Sequence, residues 1–172
     1  SLFSLPAVID KALSKRNEIK KLAYVLAKEN LIVITADGIS YSLAKEAALK
    51  IKETSYKNIS AAILGEFMHG HVAVLNNRAT LMYIAVDKIS KRSVANLQKI
   101  KADYNPKMVI IGPKDESLNP DYNINIVCDN EIQQMFADVL ICQQLALEIA
   151  LKLKRNVDHP KRLHKVVVDK NI

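Results

Sequence analysis

The chain has 172 residues, 49% of them apolar, and a net charge of +7 from 25 Lys+Arg against 18 Asp+Glu, enough to bury one core as a single domain. It contains no run of about 18 uninterrupted apolar residues, and Ser1-Leu2-Phe3-Ser4 lacks the basic flank and apolar stretch of a leader, so a cytoplasmic protein without a membrane span is expected. The positive charge is spread over several segments and only nine aromatics are available for stacking, so an ordinary basic surface is expected and nucleic acid is not.

Residues 7–29 carry Val8, Ile9, Ala12, Leu13, Ile19, Leu22, Ala23, Leu26 and Ala27 at mostly three- and four-residue spacing, which predicts one amphipathic helix or two joined ones. Leu31-Ile32-Val33-Ile34 is short, β-rich and bounded by Asp37-Gly38, the pattern of a buried parallel strand. A helix is predicted from Ser40 to Asn58, with Leu43, Ala44, Ala47, Ala48, Ile51 and Ser55 on one face and Ser40 as its cap. Strands follow at Ala61 to Leu64, Ala79 to Val86, Lys107 to Gly112 and Ile124 to Val127, with helices from Ser90 to Ala102 and from Glu131 to Lys154. Strands alternating with helices imply right-handed parallel βαβ units, hence an α/β fold. The expectation is a three-layer α/β/α sandwich on a five-stranded parallel sheet, flavodoxin-like in type. Ligands of such sheets bind beyond the carboxyl ends of the strands, which makes the loops at Asp37-Gly38, Glu66 and Gly112 candidate walls of a site.

The sequence has neither a GxGxxG nor a P-loop, so no nucleotide cofactor is indicated. Cys128 and Cys142 have no His or Cys at metal spacing and are expected to be inert packing residues. The loop Thr35 to Ser40 precedes a helix and would hold an anion weakly, because Asp37 repels it. Glu46, Lys50, Glu53 and Lys57 share one helical face; Glu46–Lys50 and Glu53–Lys57 have the spacing of surface ion pairs worth about 0.2–0.5 kcal/mol each. The functional reading of the same face makes Glu53 a general base that moves a proton between adjacent carbons. His69 and His71 form a pair too sparse to indicate a metal. In the tail, Pro160 predicts a non-helical strap carrying Lys161, Arg162 and Lys165, from which a lysine can reach a ketose carbonyl to form a Schiff base.

Read continuously, Glu46-Ala-Ala-Leu-Lys50-Ile-Lys-Glu53-Thr-Ser-Tyr56, then Gly65-Glu-Phe-Met-His69-Gly70, then Asp158-His-Pro160-Lys-Arg-Leu163-His-Lys165, resembles the second sugar-isomerase (SIS) domain of the glucosamine-6-phosphate synthase family, the glutamine:fructose-6-phosphate aminotransferases. The order of elements agrees over essentially the whole chain. The resemblance implies that Glu53 is the base between C1 and C2, with Lys50 beside it at the substrate. It also implies that His69 assists sugar ring opening in the neighbouring subunit's site and that Lys165 forms the Schiff base with fructose 6-phosphate. Residues 1–154 would be the SIS domain and 155–172 a tail closing over the sugar. Fructose 6-phosphate and glucosamine 6-phosphate are the implied ligands. The implied partners are a first SIS domain, a glutaminase domain and a second copy in a homodimer; no metal or organic cofactor is implied. A fructosamine-deglycase-type or other SIS aldose-ketose isomerase, and a non-catalytic sugar-phosphate-sensing module, are the alternative readings. Three departures stand out: His71 replaces the family's usual proline, Thr35-Ala-Asp-Gly38 replaces a glycine-arginine-glycine type loop, and Val166 to Ile172 extend past Lys165.

Overall fold

Helix α1 (Leu5–Ser14) begins with Pro6 in its first turn, where a missing N–H costs nothing, and ends where Lys15 leaves helical geometry (φ −75°, ψ 0°). Helix α2 (Arg16–Lys28) starts at once on the far side of that break, so the first periodic stretch is two joined helices. This computed structural model describes residues 4–161.

Five parallel strands follow: β1 (Ile32–Ala36), β2 (Ile59–Ile63), β3 (Thr80–Ile84), β4 (Lys107–Ile111) and β5 (Tyr122–Ile124), in the spatial order β2-β1-β3-β4-β5. This is the doubly wound order in which the chain reverses direction across the sheet between β1 and β3. Both neighbours of β1 are in register with it, Ala36 opposing Ile63 on one side and Ile84 on the other. The central strands β1 and β3 are buried throughout, as continuous apolar runs require, while β2 at the edge is partly exposed. The fifth strand lies two residues earlier than the apolar run suggests: Tyr122, not Val127, pairs with β4. Val127 is 80% exposed. Asp121 fixes the register, its carboxylate accepting the Met108 N–H at 2.8 Å and the Lys101 ammonium at 2.8 Å.

One face of the sheet is covered by α1, α2, α3 (Ser40–Ser55) and α6 (Glu131–Lys152), and the other by α5 (Lys91–Tyr104) and the short helix α4 (Leu64–Phe67). The apolar face predicted for α3 is the one buried, and its small members Ala44, Ala47 and Ala48 let α3 approach α6 closely. Thr54 seals that contact by donating to the Ala146 carbonyl at 3.3 Å. Helix α6 is long and apolar enough, by length and composition alone, to cross a membrane, but it buries Gln133, Gln134, Asp138 and Glu148 along with its apolar face against α1, α2 and α3. That is the pattern of a core helix.

Two local expectations are corrected. Ser40 does not cap α3: its hydroxyl faces the sheet and accepts the Val86 N–H at 3.1 Å, while Ile39 occupies the cap position without a side-chain bond. Lys57 does not pair with Glu53, because α3 ends at Ser55 and the Lys57 ammonium turns to the Glu29 carbonyl at 2.7 Å.

Gly112 ends β4 at φ +118°, and a Cβ added there would lie 1.9 Å from the Ala85 carbonyl oxygen. That oxygen belongs to the backbone and cannot move aside without breaking the β3–β4 edge. Gly112→Ala is therefore expected to cost roughly 2–3 kcal/mol, measured as a lower urea midpoint; an unchanged midpoint would contradict this geometry.

Candidate functional site

Helix α3 runs from the carboxyl edge of the sheet back to its amino edge, and its last turns carry Glu46, Lys50 and Glu53. Lys50 Nζ donates to Glu53 Oε2 at 2.9 Å and lies 3.7 Å from Glu46 Oε1. All three side chains are about one-third exposed or slightly more. The Glu53 hydrogen bond holds the Lys50 ammonium above its ordinary value, opposed by burial and helped further by Glu46, so Lys50 remains a cation. Its single bond to Oε2 leaves Oε1 of Glu53 without a hydrogen bond among the described residues. Among the described residues the geometry therefore presents one oriented carboxylate with an unbonded oxygen on a partly exposed side chain.

His69 is elsewhere. After α3 the chain returns along β2, whose five residues at about 3.3 Å each span roughly 16 Å, and His69 follows α4 at the carboxyl edge. Glu53 and His69 thus stand at opposite edges of the sheet. One copy of this chain does not bring them together.

At the carboxyl edge a cleft of about 320 Å³ is lined by Asp37, Gly65, Glu66, His69, Arg92 and Asn96, among others. A second, of about 240 Å³, shares Asp37, Ser90 and Ser93 with it and extends to Tyr83 and Lys88. Both sit by the switch point between β1 and β3, where doubly wound sheets bind ligands. Asp37 and Glu66 wall these clefts, as their loops predicted, whereas Gly112 lines neither. Asp37 is the organising group: its Oδ2 accepts Ser93 Oγ at 2.8 Å and the Tyr83 hydroxyl at 3.1 Å. Ser90 caps α5, accepting the Ser93 N–H at 3.1 Å, and its hydroxyl lies 2.7 Å from that of Ser93. Burial pushes the Tyr83 phenol up to about 12, so it remains a donor. The Asp37 carboxylate at the centre of this network works against an anion, while Arg92 and Lys88 on the cleft walls favour one. Sequence reasoning missed Tyr83 and Ser93, whose partnership with Asp37 spans 46 and 56 residues and has no local signature.

The tail returns to α3. Beyond α6, the Lys161 N–H donates to the Tyr56 hydroxyl at 2.5 Å, and Tyr56 is three residues past Glu53. Lys165 lies outside the described residues.

A family model for the SIS domain matches residues 25–153, three-quarters of the chain. The chain belongs to the SIS domain family. This SIS domain is 32% identical over 169 residues to the glutamine–fructose-6-phosphate aminotransferase (isomerizing) of Methanococcus maripaludis, covering 96% of this chain and 28% of that protein. It is 29% identical over 167 residues to the enzyme of the same name from Wigglesworthia glossinidia brevipalpis, covering 95% of this chain and 27% of that protein. The SIS domain thus spans just over a quarter of the length of these curated relatives. Among solved structures it resembles the C-terminal domain of glucosamine-fructose-6-phosphate aminotransferase from Francisella tularensis, with a TM-score of 0.82 and 22% identity, covering 92% of this chain and 45% of that one. It also resembles the tagatose-6-phosphate ketose/aldose isomerase from Escherichia coli, with a TM-score of 0.74 and 16% identity, covering 94% and 46%. At these identities the structures establish the shared fold. The sequence relatives agree with the family resemblance read from the motifs around Glu53, His69 and Lys165.

Proposed function

We propose that this SIS domain is the C-terminal isomerase half of a glucosamine-6-phosphate synthase, acting with a first SIS domain, a glutaminase domain and a second copy in a homodimer. The observation that carries the reading is the Lys50–Glu53 pair on α3, in which a fixed cation orients a carboxylate and leaves one oxygen free. In the proposed reaction the Lys165 amine condenses with the C2 carbonyl of open-chain fructose 6-phosphate and water leaves. Ammonia then displaces the lysine. Glu53 takes a proton from C1 and returns it to C2, while the C1 hydroxyl gives up its proton and the imine nitrogen gains one, so that the C1 alcohol becomes the aldehyde and the C2 imine the amine of glucosamine 6-phosphate. Lys50, permanently cationic, keeps the Glu53 carboxylate in place through the transfer and offers a charge to the sugar phosphate.

His69 assists ring opening in the site of the neighbouring subunit. The separation of Glu53 and His69 across the sheet supports this division, since a single chain cannot offer both to one sugar. The sugar phosphate is assigned to another domain because Asp37 stands at the centre of the switch-point cleft and opposes an anion there, although Arg92 and Lys88 line its walls.

Calorimetric titration of the isolated chain with fructose 6-phosphate and glucosamine 6-phosphate, up to millimolar ligand, tests the half-site. No detectable heat is expected. Micromolar binding would overturn the proposal in favour of a sensor or a self-sufficient isomerase.

A further inference from the structure

We infer that the switch-point cleft is a binding site for a zwitterionic α-amino acid, whose ammonium sits on Asp37 and whose carboxylate sits on Arg92. The site lies at the carboxyl edge, across the sheet from Glu53, so it goes beyond the proposed reaction and stands without it. Its two volumes, about 320 and 240 Å³, share Asp37, Ser90 and Ser93 and together are of the size that small ligands occupy.

The end that takes the ammonium is built from below. Tyr83 and Ser93 are buried, at 3% and 5% exposed, and both hydroxyls donate to Oδ2 of Asp37. Two fixed donors hold the carboxylate in one orientation, and its Oδ1 makes no hydrogen bond among the described residues. Asp37 is only half-buried and lines both volumes. Glu66 adds a second carboxylate to the larger one.

The end that takes the carboxylate is Arg92. Its Nη2 lies 4.0 Å from the point where a Cβ on Gly65 would stand, and the guanidinium forms neither an ion pair nor a hydrogen bond among the described residues, although Asp37 and Glu66 line the same cleft. Lys91 and Arg92 open the first turn of α5, which holds no acidic residue. Cations at that helix end oppose the macrodipole, so the helix gains nothing from them. A ligand carboxylate does, because a guanidinium takes it through two parallel hydrogen bonds.

Opposite charges within one cleft decide the ligand class. A phosphate ester brings two negative charges to Asp37 and Glu66, and a simple amine leaves Arg92 uncompensated, whereas a zwitterion answers both. Glucosamine 6-phosphate carries an ammonium but is an anion overall, so the cleft disfavours it. Asn96, half-buried in the same cleft with an amide that both donates and accepts, suits a polar side chain.

Calorimetric titration of this chain with L-glutamine, L-serine and glycine tests the site, with inorganic phosphate and ethylamine as carriers of one charge sign each. Saturable binding of at least one amino acid is expected, about tenfold or more tighter than either control, and Asp37→Asn and Arg92→Ala are each expected to weaken it by about tenfold or more. Arg92 is exposed and its guanidinium has no partner among the described residues, so Arg92→Ala should keep the melting temperature, and its effect cannot be ascribed to a loosened cleft. No saturable heat from any of the three amino acids, phosphate binding as tight as theirs, or binding that survives both substitutions overturns the inference. The sugar-phosphate titration decides the half-site independently, because amino-acid binding in the cleft needs neither Glu53 nor a second domain.

Discussion

Glu53→Gln in the proposed synthase is expected to lower glucosamine 6-phosphate formation by roughly 10²–10⁴-fold, the contribution of a positioned general base, while glutamine hydrolysis by the proposed glutaminase domain continues. The substitution is nearly isosteric, and the amide carbonyl can still accept the Lys50 ammonium that now donates to Glu53 Oε2 at 2.9 Å. What is removed is the basic oxygen. The fold should hardly notice, because the pair is partly exposed and an ion pair at that spacing contributes about 0.2–0.5 kcal/mol. Assays of ammonia release and amino-sugar formation on the same preparation separate the two activities. Wild-type sugar synthesis by Glu53→Gln would remove Glu53 from the chemistry and leave the ordinary surface-pair reading of α3.

That ordinary reading shows how far the sequence alone goes. Periodicity identified the buried face of α3 correctly because Leu43, Ala47 and Ile51 enter the core on a fixed 3.6-residue repeat. It could not say that Lys50 would choose Glu53 at 2.9 Å over Glu46 at 3.7 Å, since both spacings are allowed on a helix. Ser40 had the right chemistry for a cap, yet its hydroxyl went to Val86, a partner that exists only once β3 lies beside β1. The fifth strand was displaced for a similar reason: Ile126 is buried and apolar without being paired, while Tyr122 is paired because Asp121 holds Met108 and Lys101. The Asp37 network and the return of the strap to Tyr56 are likewise products of the fold, joining residues 46 to 105 positions apart.

Asp138 was hidden inside an apolar run, and it should govern how stability depends on pH. Its side chain is fully buried in α6; Oδ1 accepts from Gln134 at 2.9 Å, and Oδ2 has no hydrogen-bond partner among the described residues. The thiols of Cys128 and Cys142 lie close enough to feel its charge, and burial pushes both up, so they supply no counter-ion. Burial pushes Asp138 from 3.8 up to about 7, with the Gln134 bond opposing. In the unfolded chain the carboxyl ionises near 3.8, whereas the folded protein retains the proton to about 7. Between those values the folded state binds more protons, so stability falls as pH rises through that window and levels off above it, by on the order of 4 kcal/mol. Asp138→Asn keeps the acceptor for Gln134 but cannot ionise. Urea unfolding at pH 5 and pH 8 should show the variant gaining on the parent as pH rises and surpassing it at pH 8, because an uncompensated buried charge outweighs one unsatisfied amide. Parallel pH profiles for the two proteins would mean that Asp138 is already ionised and solvated at pH 5, contrary to its complete burial between α6 and the helices packed against it.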